Sequence, residues 1–315
     1  MKIACVSFSS QTPPKAWGAV EILIWEYSLF IARDYPDVDF RIFNSSDEVN
    51  ISEINDFGPD YVHIHTDGFH IIPQLKCSNI IVSCHWGYLD QIHLGIRESD
   101  AWHAHLVHTT CKNSWKIFCS SDSIREQYLR FGARPDRLFI RPNGVNDEIF
   151  KFTDEPRCPD RSVYLARIEP RKRQHLFQSI ESLYFVGPYE NGPFVKSSER
   201  WLGEMTKNEL YESLTDWGNL VLLSDGEAHA LVVAEGLVCG LGVVVSERAA
   251  ANLDTRLPFI DVIPEDMISD LAYVESIIVR NRETSLKMRV EIREWARKTF
   301  GWKNIVKDYI SDITK

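Results

Sequence analysis

The apolar residues of this chain gather into short runs, and the runs are separated by stretches whose hydrophobic positions repeat at a helical period. Lys2 to Ser9, Phe40 to Phe43, Tyr61 to His65, Ile80 to Gly87 and Trp115 to Ser121 read as strands. Continuous short apolar runs suit strands covered on both faces, as in parallel sheets. Between them, Trp17-Gly18-Ala19-Val20-Glu21 opens a helix to about Tyr35, and Asp122 to Gly132 reads as a second, stopped by its glycine. Arg141-Pro142-Asn143-Gly144-Val145 closes this series with turn residues. Lys151 to Arg161 has two prolines and little periodicity, so a hinge is expected there. A second series follows: strand Ser162 to Ala166, a helix starting near Gln174, strand Leu183 to Val186, helix Lys207 to Leu214, strand Asn219 to Ser224, a helix, and strand Gly242 to Ser246. An amphipathic helix at about Glu283 to Thr299 and a last one at Trp302 to Ile313 complete it. Two alternating strand–helix series predict an α/β fold of two Rossmann-like domains.

Within the second series, one stretch has an unusual chemistry. Asp225 to Gly240 places two glutamates eight residues apart, Glu227 in a loop and Glu235 inside the apolar helix that the loop opens. Helix N-termini leave backbone N–H groups unpaired and carry partial positive charge, so the amides of Ala228 to Leu231 form a seat for an anion such as a diphosphate. Glu227, at the mouth of that seat, suits sugar hydroxyls, although a carboxylate in a first turn also serves as a plain capping group. Glu235 follows Leu231 by four residues and shares its face. A glutamate among Val-Val-Ala and Gly-Leu-Val calls for a partner, either a ligand's ribose hydroxyls or a salt bridge. Arg167 and Lys172 stand at the end of the Ser162 to Ala166 strand, where cations stabilise a diphosphate without a metal.

Composition narrows the classes. The 315 residues are enough for two domains, and the formal net charge of −10 argues against a nucleic-acid binder. Seven cysteines include no C-x-x-C pair and lie mostly in apolar segments, which fits reduced thiols and a cytoplasmic setting. The chain opens on a strand rather than a signal peptide, and no uncharged run reaches the ~18 residues of a membrane span. The arginines from Arg125 to Arg141 leave peripheral membrane contact open, against a plain salt-bridged face.

The first series holds weaker signals. Gly18, at a helix mouth, admits either a ligand phosphate or simple helix–strand contact. There is no G-x-G-x-x-G. Asp37-Val38-Asp39 reads as a solvated turn rather than a metal-holding pair. His85 ends a strand, where active groups of parallel sheets collect. His63, His65 and His85, and separately His103, His105 and His108, lack the carboxylate or cysteine companions of a metal site. Leu89 to His108, rich in aromatics and histidine, reads as an acceptor-facing loop and helix or as surface packing.

Taken together, Gly18-Ala19-Val20-Glu21, His85, the Ile140 to Val145 run, Arg167 with Lys172, Trp201-Leu202-Gly203 and the Glu227/Glu235 element ending in Cys239-Gly240 resemble, in order, the motifs of the family-4 retaining glycosyltransferases. The resemblance implies the GT-B architecture: two Rossmann-like domains facing a cleft that closes on the donor, with the final helix crossing back to the first domain. Residues 1–152 with 302–315 would form the acceptor-side domain, and 153–301 the nucleotide-sugar donor domain. Arg167 and Lys172 would hold the diphosphate, Glu235 the ribose, and Glu227 and His85 the transferred sugar as catalytic groups. Gly18, His229, Ala230, Leu231 and Met205 would complete the donor-binding set. The implied reaction moves a hexose, with retention, from a nucleoside-diphosphate sugar to a hydroxyl of a glycan or other acceptor. GDP-mannose is slightly favoured and UDP-glucose next. No metal or other cofactor is expected, and the protein would act as a monomer or homodimer. An epimerase of the same fold and a nucleotide-sugar-binding module without turnover are the rival readings. Two departures stand out: Ala228-His229-Ala230 replaces the family's glycine-rich stretch, and Ala19 and Ala166 replace two further glycines.

Overall fold

A computed structural model describes residues 1–7, 12–14, 18–44, 51–65, 68–85 and 101–315, without the side chains of 68–70, 84, 101–104 and 106. Trp17 and most of the Leu89 to His108 stretch therefore lie outside the described residues. The chain divides into two compact units, Met1–Gly144 with Trp302–Lys315, and Val145–Gly301.

The first unit is a six-stranded parallel sheet in the order β2-β1-β3-β4-β5-β6. Its strands are β1 (Lys2–Val6), β2 (Asp39–Phe43), β3 (Tyr61–His65), β4 (Ile80–Cys84), β5 (Lys116–Cys119) and β6 (Leu138–Ile140). Helices α1 (Ala19–Asp34), α2 (Ile51–Phe57), α3 (Ala101–Lys112) and α4 (Asp122–Arg130) connect them. The expected strand and helix segments are recovered in this unit; the expected strand ends Phe8-Ser9 and Trp86-Gly87 lie outside the described residues. Alternation along β1 and β3 sends Ala4, Val6, Val62 and Ile64 to one face, where Ile54, Phe57 and Ile71 cover them. Asp37 and Asp39 lie at a solvated turn and strand start, and Asp39 pairs with Arg41 at 2.9 Å. Arg134 pairs with Asp136 at 2.8 Å, Arg125 with Glu126 at 3.6 Å, and Arg141 with Asp308 and Asp312. These arginines therefore answer nearby carboxylates.

The last helix belongs to this unit. Trp302, Ile305, Val306, Tyr309 and Ile313 recur at helical spacing and are all buried. Trp302 meets Tyr27 edge-on at 4.7 Å and stacks on Phe30 at 5.7 Å. Its C-terminal carbonyls, at Asp312 and Ile313, accept hydrogen bonds from Lys116 Nζ at 3.1 and 2.6 Å. A cation at a helix C-terminus also opposes the partial negative charge there.

The second unit has a five-stranded parallel sheet in the order β11-β10-β9-β7-β8. The strands are β7 (Cys158–Leu165), β8 (Leu183–Val186), β9 (Trp217–Leu222), β10 (Gly242–Ser246) and β11 (Ile260–Ile263), and the helices α5 (Lys207–Ser213), α6 (Leu231–Val238), α7 (Leu271–Lys287) and α8 (Arg289–Phe300). Every residue of β9 and β10 is buried, as the apolar runs predict for central strands.

Three expectations need correction. The unit boundary falls at 144/145, not 152/153. Val145 N–H donates to Phe300 O at 2.9 Å, Lys151 N–H to Tyr211 O at 2.9 Å, and the buried Arg289 guanidinium to Thr153 O at 2.8 Å and Trp217 O at 3.1 Å. These bonds tie residues 145–153 to the second unit, and 158–161 are already strand. The helix expected near Gln174 is only a pair of 3₁₀ turns, Pro170–Lys172 and Gln174–Leu176, because Arg173 between them is left-handed (φ 57°). The Glu283 to Thr299 helix is two, broken at Met288, whose φ of −124° leaves the helical region.

Gly240, just past α6, has φ 79°. A Cβ there would stand 2.6 Å from the Phe152 ring and 2.9 Å from Arg289 O. Gly240→Ala is expected to cost ~2–4 kcal/mol, combining left-handed strain with overpacking. A urea melt with an unchanged midpoint would contradict this.

Candidate functional site

Both sheets reverse their strand order once, and ligands of open parallel sheets bind at the carboxyl ends of strands beside such a reversal. In the second unit the reversal lies between β7 and β9. The buried Tyr164 phenol couples these ends: its oxygen accepts the Leu223 N–H at 2.8 Å and it donates to Lys172 O. Burial raises its pKa, so it stays a donor. The buried Gln174 amide fixes the same loop by donating to Arg167 O at 2.7 Å. The crossover from β7 to β9 thus brings residues some 55 positions apart in sequence to one place.

What meets there is Glu227 with two cations. Lys172 Nζ pairs with Glu227 Oε1, both side chains only 13% exposed. Arg171 Nη1 reaches the same oxygen at 3.3 Å, and also Gly226 O at 2.7 Å. Burial pushes the Glu227 carboxyl up, but Lys172, Arg171 and the Ser224 hydroxyl together outweigh it and hold the group below its ordinary range. It is therefore ionised at neutral pH.

A second ion cluster frames this loop. Arg173 Nη2 pairs with Asp225 at 2.7 Å and Glu265 at 2.9 Å, and Arg248 also pairs with Asp225. Arg248 O accepts the Glu227 N–H at 3.0 Å, and Arg171 O accepts the Asp225 N–H at 2.8 Å.

Helix α6 starts at Leu231 after Ala230, an extended residue whose side chain supplies no capping bond. The first amides of α6 lack carbonyl partners within the helix, as at any helix start. Ala228, His229 and Ala230 are buried. The His229 ring lies 5.4 Å from Phe300, and burial lowers its pKa to about 4, so the imidazole is neutral. Glu235, partly buried, is raised to about 7 by burial, with only the field of Lys207 pulling it back. Met205 is partly buried just ahead of α5, whose start is closed by a reciprocal Thr206–Glu209 capping box. Trp201 Nε1 donates to Gly187 O at 3.1 Å, holding residues 200–203 along β8.

Arg167 stands apart. It is 57% exposed and pairs with Glu190 at 2.8 Å. The structure thus joins Lys172 to Glu227 and gives Arg167 a different partner. Arg171, next to Lys172, is the cation that sequence reasoning passed over. Nothing in the local pattern distinguishes it from the other basic residues of its run.

In the first unit, the reversal lies between β1 and β3. Gly18 caps α1, with its carbonyl accepting the Ile22 N–H at 3.1 Å. The Glu21 carboxylate folds onto the space a Cβ at Gly18 would fill. His85 Nε2 shares a 2.9 Å hydrogen bond with His65 Nδ1, and the two rings stack 5.2 Å apart. Burial lowers the His85 pKa to about 4. His63, behind His65, bonds to Tyr309 Oη at 3.0 Å and Ser83 Oγ at 2.7 Å. Of the other histidine cluster, His105 and His108 are exposed, and the His103 side chain lies outside the described residues. Among the described residues, no group of three or more His, Cys, Asp or Glu could hold a metal ion, and no helix is long and apolar enough to cross a membrane.

Residues 19–149 match the family model Glycosyltransferase Family 4. No curated protein matches the chain in sequence. Among solved structures, HepE from Anabaena, in complex with UDP and glucose, superposes with a TM-score of 0.72 at 13% identity, covering 100% of this chain and 99% of that one. Sucrose-phosphate synthase from Thermosynechococcus elongatus gives 0.74 at 14% identity, covering 98% and 97%. At such identities these likenesses speak for the fold. The chain thus has the GT-B fold, and the match to the Glycosyltransferase Family 4 model spans less than half of its length.

Proposed function

We propose that this protein transfers a hexose from a nucleoside-diphosphate sugar to a hydroxyl of a glycan or other acceptor, with retention and without a metal. The observation that carries the reading is the Lys172–Glu227–Arg171 cluster between the carboxyl ends of β7 and β9, beside the start of α6. Without ligand, Lys172 and Glu227 neutralise each other. A diphosphate offers Lys172 a more highly charged partner and the α6 amides an anion. Glu227, still ionised beside Arg171, then accepts hydrogen bonds from the sugar. Glu235 takes the ribose hydroxyls, and Met205 lies toward the base. His229, Ala230 and Leu231 line the phosphate and sugar. Arg167 supports the diphosphate once it leaves Glu190. The leaving diphosphate oxygen takes the acceptor's proton on the face that the new bond forms, which preserves the anomeric configuration.

The base is the open choice. No residue argues for GDP-mannose over UDP-glucose. HepE has been solved with UDP and with UDP-glucose, which makes UDP-glucose the first donor to test. Calorimetry with both donors in the presence of EDTA is expected to show binding of one. Binding that requires a divalent ion would overturn the metal-free reading. Ala228 and Ala230 favour a second reading, a binding module without turnover, which binding with no transfer to any acceptor would select. Donor consumed or its sugar altered with no acceptor present would point to an epimerase.

A further inference from the structure

Arg171 and Lys172 share one 3₁₀ turn and one carboxylate, yet they are held very differently. Among the described residues Lys172 Nζ touches Glu227 Oε1 alone. Arg171 grips the loop at several points: Nη1 donates to Gly226 O at 2.7 Å and to Glu227 Oε1 at 3.3 Å, with Ser224 Oγ at 3.4 Å. Nη2 is anchored on Glu169 Oε1 at 2.8 Å, and the Arg171 carbonyl accepts the Asp225 N–H. Arg248 mirrors this from the β10 side, with its carbonyl on the Glu227 N–H and its guanidinium on Asp225. The loop between them turns at Gly226, φ 137°, a backbone state open to glycine and strained for other residues.

We propose that Arg171 is a positioning residue that keeps Glu227 in place and ionised while Lys172 leaves it for the donor's diphosphate. This rests on the donor-site reading above. A guanidinium is a rigid fork whose several bonds must break together, whereas an ammonium on a flexible stem is a point charge that changes partner readily. A phosphate that captures Lys172 removes one contact from Glu227 and leaves all of Arg171's. The groups facing the Glu227 side chain are Lys172, Arg171 and the Ser224 hydroxyl, with the Tyr164 phenol within electrostatic reach.

The test uses Arg171→Gln and Arg171→Lys in the full chain, with UDP and UDP-glucose (or GDP and GDP-mannose, if the wild type takes those). For Arg171→Gln, the affinity for the nucleotide without sugar stays within about threefold of wild type, whereas turnover falls ~10–100-fold with little change in donor KM. Arg171→Lys, keeping the charge without the fork, recovers part of kcat. Carbon-13 NMR of the ligand-free protein shows the Glu227 carboxyl titrating at higher pH in Arg171→Gln than in wild type, and its well-dispersed spectrum doubles as the folding check. Nucleotide affinity falling as far as in Lys172→Ala would make Arg171 a phosphate ligand and overturn the proposal. Unchanged kcat, or a Glu227 titration that does not move, would overturn it as well. A wild type that binds no nucleotide overturns the donor reading instead, and the titration then decides alone whether Arg171 holds Glu227.

Discussion

Lys172→Ala is expected to weaken donor binding by about 1.5–3 kcal/mol, roughly 10–100-fold in Kd, the usual size of a lost hydrogen bond to a charged group. The same change should destabilise the free protein. Lys172 and Glu227 form a largely buried pair, and removing one partner strands the other charge. Arg171 remains beside the carboxylate, so the loss should be about 1–3 kcal/mol, below the 3–5 of a wholly unpaired charge. The sign of the pH dependence follows from the depressed Glu227 carboxyl. Its stabilisation is complete above the ordinary glutamate range and is lost as pH falls through the folded-state value. The gap between wild type and variant in urea melts should therefore be widest near neutrality and shrink in acid. Equal nucleotide affinity in the two proteins would remove Lys172 from the site.

Glu235→Gln should do the opposite to stability. A carboxyl raised to about 7 binds its proton more tightly in the folded state than in the unfolded one. Its contribution is favourable at low pH and is lost as pH rises from the unfolded value through about 7. At pH 8 the wild type keeps a poorly solvated carboxylate that glutamine would not. The variant should be more stable there by about 3 kcal/mol, and the difference should vanish near pH 4. Donor binding should move the other way. If the ionised form accepts the ribose hydroxyls, wild-type affinity rises about tenfold from pH 6 to pH 8, following the fraction ionised. His229 and His85, both lowered to about 4, stay neutral across that window and do not blur it. In Glu235→Gln the donor affinity should be weak and flat with pH. A variant no more stable at pH 8, or a wild-type affinity independent of pH, would show that Glu235 is not the strained carboxylate described.

The repeating local pattern of the chain carried most of the fold. Apolar runs of strand length alternating with helical periods gave the central strands and most of the helices of two parallel α/β units, because burial on both faces of a central strand leaves a continuous apolar run, and they missed the edge strands β6 and β11. The same locality put Glu235 on the face of Leu231, since a helix fixes the facing of residues four apart, and Glu227 in the loop ahead of that helix. It failed where the backbone leaves its regular states without a glycine or proline to announce it, at left-handed Arg173 and at the Met288 break. Which charges meet was decided by the tertiary structure. Placing β7 beside β9 brings Lys172 and Arg171 to Glu227 across some 55 residues and leaves Arg167 with Glu190. Burying Arg289 against Thr153 and Trp217 assigns residues 145–153 to the second unit. A sequence lists charges in chain order, but an ion pair forms between groups that become neighbours only when distant strands pair, and no period along the chain records that.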